Sequence, residues 1–117
     1  MAEKYGNQSK SFLSDLVKLG SNSFKSFGYQ KITVTGSVST LTIPAGAKYA
    51  LVSVESSVTS GVVVRALQNL SSTVSTTLGI GYRDASVFDI TDAQNLAGFQ
   101  ITQAQAGTHN IYVEYYR

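Results

Sequence analysis

The chain has no cysteine among its 117 residues. That excludes disulfides, thiolate nucleophiles, thiolate metal sites and thiol redox switches, and it leaves the redox compartment unread. There is one proline, one histidine and no tryptophan. His109 follows Gly107-Thr108 at the start of a strand-like run. No cysteine or second histidine can join it in a metal shell, so a turn or strand-edge histidine is expected. Charge is scarce as well: charged residues are 14% of the chain, well below the usual quarter of a soluble domain. Serine and threonine fill much of that gap. Such a surface suits a chain packed into an assembly better than one kept apart by net charge. No apolar run approaches the roughly 18 residues of a membrane span. The opening MAEKYGNQSKS also lacks the apolar stretch of a secretory leader.

What is present reads as β. Apolar residues make up 43% of the chain, enough for one core that buries roughly two-thirds of the unfolded surface. Segments rich in Val, Ile, Thr, Tyr and Phe occur at Ile32–Thr35, Val38–Ile43, Tyr49–Ser56, Val62–Leu67, Thr76–Tyr82, Val87–Ile90, Phe99–Ala104 and Asn110–Tyr116. Turn formers separate them, among them Gly36-Ser37, Pro44-Ala45-Gly46, Ser60-Gly61 and Gly107-Thr108. Period-two alternation puts Ile111, Val113 and Tyr115 on one face of the last segment and Tyr112, Glu114 and Tyr116 on the other. The connections are too short for the crossover helices of a parallel sheet. An all-β fold follows: an antiparallel β-sandwich or jelly-roll-like barrel of about eight short strands spanning 32–117.

Two helical signals interrupt that pattern. Ser9 to Leu19 sets Phe12, Leu13, Leu16, Val17 and Leu19 on one side of a helix, with Ser9 or Ser11 as cap and Gly20 at the stop. In TDAQNLAG, 91–98, Thr91 and Gln94 have capping-box spacing, Leu96 points inward and Gly98 ends the turn, making a plug for one end of the core. Residues 1–31 therefore read as a helical and extended arm. Its five lysines face only Glu3 and Asp15, whereas from Ile32 onward four basic residues meet five acidic ones. The stretch 21–31 reads as a linker, yet it carries Phe24, Phe27 and Tyr29, for which a solvated tether has no use. The arm either packs on its own sandwich or inserts into a partner. The lysines favour a partner with an acidic surface, with Phe12, Leu13, Leu16, Val17, Phe24 and Phe27 as apolar anchors and Lys4, Lys10, Lys18 and Lys25 as steering charges.

Chemistry-bearing constellations are sparse. Asp84, Asp89 and Asp92 fall near turns, and their spacings do not place two carboxyls in one cleft. DITDAQN, 89–95, is a thin candidate for a calcium loop. GIGYR, 79–83, opens no helix and matches no phosphate-binding loop, so its glycines mark a bulge or close sheet packing. No nucleophile, base and acid can be aligned, and the expectation is no enzyme, no cofactor and no metal. Four basic residues in the globular part are too few for nucleic acid. A glycan module using Tyr112, Tyr115 or Tyr116 with Asn69 or Asn95 is the alternative, although alternation puts these tyrosines on opposite faces.

LTIPAGAKYALVSVE at 41–55, FDITDAQNLAGFQITQA at 88–104 and the ending AGTHNIYVEYYR at 106–117 resemble small virion proteins of tailed bacteriophages. Members of that family similarly pair a PAGA-x-YA strand opening with a late acidic turn, an apolar strand and a terminal aromatic strand. Where relatives follow an arginine-bearing strand with an Asp-Gly or Pro turn, this chain has Arg65 but neither turn in ALQNLSSTVSTT, 66–77. The resemblance covers about 32–117. It implies a non-enzymatic capsid decoration or head-fibre-like subunit, with a neck or tail location as the alternative. Such a subunit assembles on the virion in the bacterial cytoplasm and contacts the major capsid protein or other virion proteins. It also implies repeated copies, trimers among them, with no nucleic-acid or membrane partner.

Overall fold

The computed structural model describes residues 25–69 and 71–117. The helix expected over 9–19, and with it Phe12, Leu13, Leu16, Val17, Lys18 and Phe24, lies outside the described residues. Seven strands and one short helix follow in order: β1 (Ser26–Val34), β2 (Tyr49–Ser56), β3 (Val64–Gln68), β4 (Ile80–Tyr82), β5 (Val87–Thr91), α1 (Ala93–Ala97), β6 (Phe99–Gln103) and β7 (His109–Tyr116). They form a four-stranded sheet in the order β1-β7-β2-β5 and a three-stranded sheet in the order β4-β3-β6. Every pairing is antiparallel. The chain changes sheet between β2 and β3, β4 and β5, β5 and β6, and β6 and β7, which makes a sandwich rather than a meander.

Alternation explains the core. On β7, His109, Ile111, Val113 and Tyr115 point inward, and on β2 Ala50, Val52 and Val54 do. Ile32 and Val34 from β1, Val64 and Ala66 from β3, Phe88 and Ile90 from β5, and Phe99 and Ile101 from β6 complete one apolar cluster between the sheets. Phe88 stacks on Tyr82 with ring centroids 4.1 Å apart, tying the edge strands β4 and β5 together across the two sheets. Leu96 of α1 is 1% exposed. Burying a side chain of that size stabilises the fold by roughly 1.5–3 kcal/mol, so the five-residue helix is held by packing rather than by its own propensity. Its cap is Asp92, whose carboxylate accepts the Gln94 N–H at 3.3 Å, and not the Thr91 of the expected capping box. The Gly98 N–H closes the helix on the Gln94 carbonyl.

Three expectations need correction. The first strand begins at Ser26 rather than Ile32. Ser26 to Lys31, read as linker, pair with β7 from Tyr116 to Tyr112. Gly28 makes this possible: a Cβ there would lie 2.7 Å from Pro44 Cγ, so the Pro-Ala-Gly-Ala turn seats directly on β1. Val38–Ile43 is not a strand. Ser39 alone bridges to Ile101, and the Thr42 N–H goes to the Gln30 side chain at 3.0 Å instead of to a ladder partner. Leu41 and Ile43 still pack on the core, which is why their alternation looked like a strand. Of Thr76–Tyr82 only the last three residues pair. Ser75 Oγ accepts the N–H groups of Thr77 and Leu78 at 3.2 and 3.0 Å, winding the segment before them into a turn.

Candidate functional site

His109 is wholly buried at the start of β7, which lies inside its sheet, and is therefore no strand-edge residue. Its Nε2 lies 2.8 Å from the Gln105 carbonyl and its Nδ1 2.7 Å from Ser56 Oγ. A carbonyl only accepts, so the proton sits on Nε2 and the serine hydroxyl donates to Nδ1. Ser56 Oγ accepts the Val58 N–H at 2.9 Å, and the Ser56 N–H donates to Asp84 Oδ1 at 2.9 Å. In this array Ser56 meets the histidine through its hydroxyl and the aspartate through its backbone N–H. Its connectivity is nevertheless that of a clamp between β2, β7 and the following turns: Asp84 does not touch the imidazole, and the hydroxyl already serves a backbone donor.

The three aspartates go to three places. Asp84 takes the Ser56 N–H, Asp92 caps α1, and Asp89 stands on the outer face of β5 opposite Leu51. Burial pushes the Asp89 carboxyl above its usual range, against a smaller lowering by a backbone hydrogen bond. Among the described residues no three His, Cys, Asp or Glu side chains converge to hold a metal ion, DITDAQN included. No helix among them is long and apolar enough to cross a membrane.

Of the expected partner anchors, Lys25 and Phe27 fall within the described residues. Lys25 is exposed. Phe27 is half-buried: it packs against its own core, and the Arg117 guanidinium stands over its ring at 4.4 Å. Tyr115 likewise leaves the expected glycan set, because it is 1% exposed and its hydroxyl donates to Gln30 Oε1 at 2.8 Å.

Two surfaces remain. The first is the outer face of the four-stranded sheet. Register aligns Tyr29, Glu114, Leu51 and Asp89 in one row and Lys31, Tyr112, Ser53 and Val87 in the next. Tyr29, Leu51, Ser53, Tyr112 and Glu114 line a shallow depression of about 300 Å³. Tyr29 is 67% and Val87 50% exposed. The Tyr112 hydroxyl donates to Glu55 Oε1 at 2.6 Å, a bond that is the main cause of its raised pKa. Glu114 accepts from Ser26 Oγ at 2.6 Å and from the Tyr116 hydroxyl at 3.0 Å. Lys31 Nζ stands 5.8 Å above the Tyr112 ring. The face is thus aromatic and carboxylate-bearing, with its polar groups locked to one another.

The second is a cleft of about 400 Å³ lined by Gln68, Asn69, Ser71, Gln94, Asn95 and Gly98. It lies between the end of β3 and α1, and Gly98 lets them meet: a Cβ there would be 3.2 Å from the Gln68 carbonyl oxygen. Asn69 and Asn95, named from sequence for a glycan, come together here, and neither Tyr112 nor Tyr116 is among the residues that line the cleft. Sequence reasoning missed Gln68, Ser71 and Gln94, since no local signal joins residues 68–71 to 94–98. Tyr29 was legible in principle, because Tyr29, Lys31 and Thr33 alternate with Gln30, Ile32 and Val34.

No family model, curated protein or solved structure matches the chain.

Proposed function

We propose that this chain is a non-catalytic structural module of a tailed-bacteriophage virion, a capsid decoration or head-fibre-like subunit. In this reading the β-sandwich is displayed on or packed into the particle. Residues 1–24 attach it to the major capsid protein or another virion protein, and copies associate through sheet faces. The virion assignment rests on the resemblance carried by residues 41–55, 88–104 and 106–117. The observation that carries the binding role is the outer face of the four-stranded sheet. An antiparallel sheet with one face in water ordinarily presents polar side chains there, whereas this one interleaves Tyr29, Leu51, Tyr112 and Val87 with Glu114, Asp89, Lys31 and Ser53. Large exposed side chains such as Tyr29 and Val87 on a sheet face support a contact role, and many modest contacts summed over repeated copies hold a shell subunit in place.

The test is a truncation that respects β1. Deleting residues 2–24 leaves Ser26 paired with Tyr116 and should give a folded sandwich that no longer occupies particles in a sedimentation assay. Full occupancy by the truncated chain would sink the attachment role of the first 24 residues. Replacing Tyr29 and Leu51 by serine in the full chain separately tests the sheet face and should lower occupancy without unfolding the subunit.

A further inference from the structure

We propose that the amide-lined cleft between β3 and α1 is a binding site for a neutral saccharide. Among the described residues its lining is two glutamines, two asparagines, a serine and a glycine, with no charged side chain. An ionic ligand finds no counter-charge among these residues. A sugar hydroxyl both donates and accepts, and so does a carboxamide, so a ring dense in hydroxyls matches this lining group for group.

Two of the four amides are tied to backbone. Asn69 Oδ1 accepts the Ser71 N–H at 2.6 Å, which fixes the amide with Nδ2 as its donor end. Asn95 Nδ2 donates one of its two N–H groups to the Thr91 carbonyl at 2.8 Å, which fixes the amide with Oδ1 as its acceptor end. Among the described residues the Gln68 and Gln94 carboxamides make no hydrogen bond within the fold, and each has a donor and an acceptor end. Behind them the buried Gln100 amide donates to the Asn69 and Ser72 carbonyls at 2.8 and 2.7 Å and fixes the loop that forms one wall. Such bracing from behind is what holds a polar site in shape before its ligand arrives. The volume sits at the small end of the range for small-molecule sites, roughly 300–1,000 Å³. A peptide would need an open row of backbone groups, and β3 has none to give, lying between β4 and β6.

The inference is independent of how the module is attached, and its test reads the cleft directly. The isotope-labelled full chain is titrated with glucose, galactose, mannose, N-acetylglucosamine, rhamnose and maltotriose while amide resonances are followed. At least one of these should shift the resonances of Asn69, Ser71, Gln94 and Asn95 saturably. The variant Gln68→Ala/Gln94→Ala should bind it about 30-fold more weakly. Its melting temperature should be unchanged, because neither amide makes a structural bond. Four results would each overturn the proposal: no response to any of the six sugars, shifts centred on Tyr29 and Tyr112 instead, an equal response to glucuronate or a Gly-Ser decapeptide, or undiminished binding by the double variant.

Discussion

Gln100 is the residue through which the fold holds that cleft open, and replacing it by leucine isolates the effect. Its side chain is 6% exposed and makes three hydrogen bonds, all to backbone. Oε1 accepts the Val74 N–H at 3.1 Å, and Nε2 donates to the Asn69 and Ser72 carbonyls. Leucine keeps most of the volume and none of the bonds. Val74 is itself buried, at 2% exposure, so its N–H stays dry when abandoned; a stranded buried donor costs roughly 1–3 kcal/mol. The two carbonyls belong to exposed loop residues, where water can replace the amide, and about 0.5 kcal/mol apiece is a fair charge. The total is roughly 2–4 kcal/mol, or a melting temperature lowered by about 10–20 °C for a domain of this size.

Urea unfolding monitored by tyrosine fluorescence measures the change, with an unchanged slope showing that the denatured state is the same. Gln100→Glu sharpens the argument. It keeps an acceptor for Val74 but turns a carboxylate toward two carbonyls, so it should be no more stable than the leucine variant at neutral pH. That carboxyl is held protonated in the folded state beyond its unfolded pKa. Its stabilisation is therefore complete below the unfolded value and is lost as pH rises through the folded one, so acidification should recover part of the deficit. If Gln100→Leu unfolds within about 0.5 kcal/mol of the parent, the loop is not held by this amide and the bracing argument is wrong.

Tyr115 provides an alkaline signature. Burial pushes its hydroxyl up to about 12, so the stabilisation from keeping it neutral is full below pH 10 and vanishes as pH rises through about 12; ultraviolet titration should show a late-ionising tyrosine that Tyr115→Phe removes. Gly107 sits at φ +144°, and a Cβ there would lie 2.8 Å from Val58 Cγ2 and 3.0 Å from His109 Cε1. Gly107→Ala should therefore cost about 1–3 kcal/mol in thermal unfolding, and a neutral result would mean that the turn relaxes freely.

How far these features could be read beforehand depends on the range over which each is encoded. The inward set Ile111, Val113 and Tyr115 follows from alternation within one strand, and the sandwich follows from short β runs between turn formers. Both are local, and both agree with the structure. The strand at Ser26–Val34 was obscured because Gly28 looks like linker composition until Pro44, sixteen residues on, is seen resting against it. Val38–Ile43 erred the other way: its alternation is real, but a Gln30 side chain takes the Thr42 N–H that a ladder would need.

The cleft is the extreme case. Gln68, Asn69 and Ser71 meet Gln94 and Asn95 only because Leu96 is buried and Gly98 permits contact with the end of β3. Carboxamides also have no periodic or charge signature that would set them apart from solvated loop residues. Gln100 would have been assigned to the solvent face of β6 by the alternation of Phe99 and Ile101, yet every residue of β6 from Phe99 to Thr102 is buried. On that second face Gln100 lies under the loop it holds down, while Thr102 donates to the Thr35 carbonyl at 3.1 Å. A polar residue inside a strand buried on both faces therefore specifies what covers the sheet, and here the same cover forms one wall of the cleft.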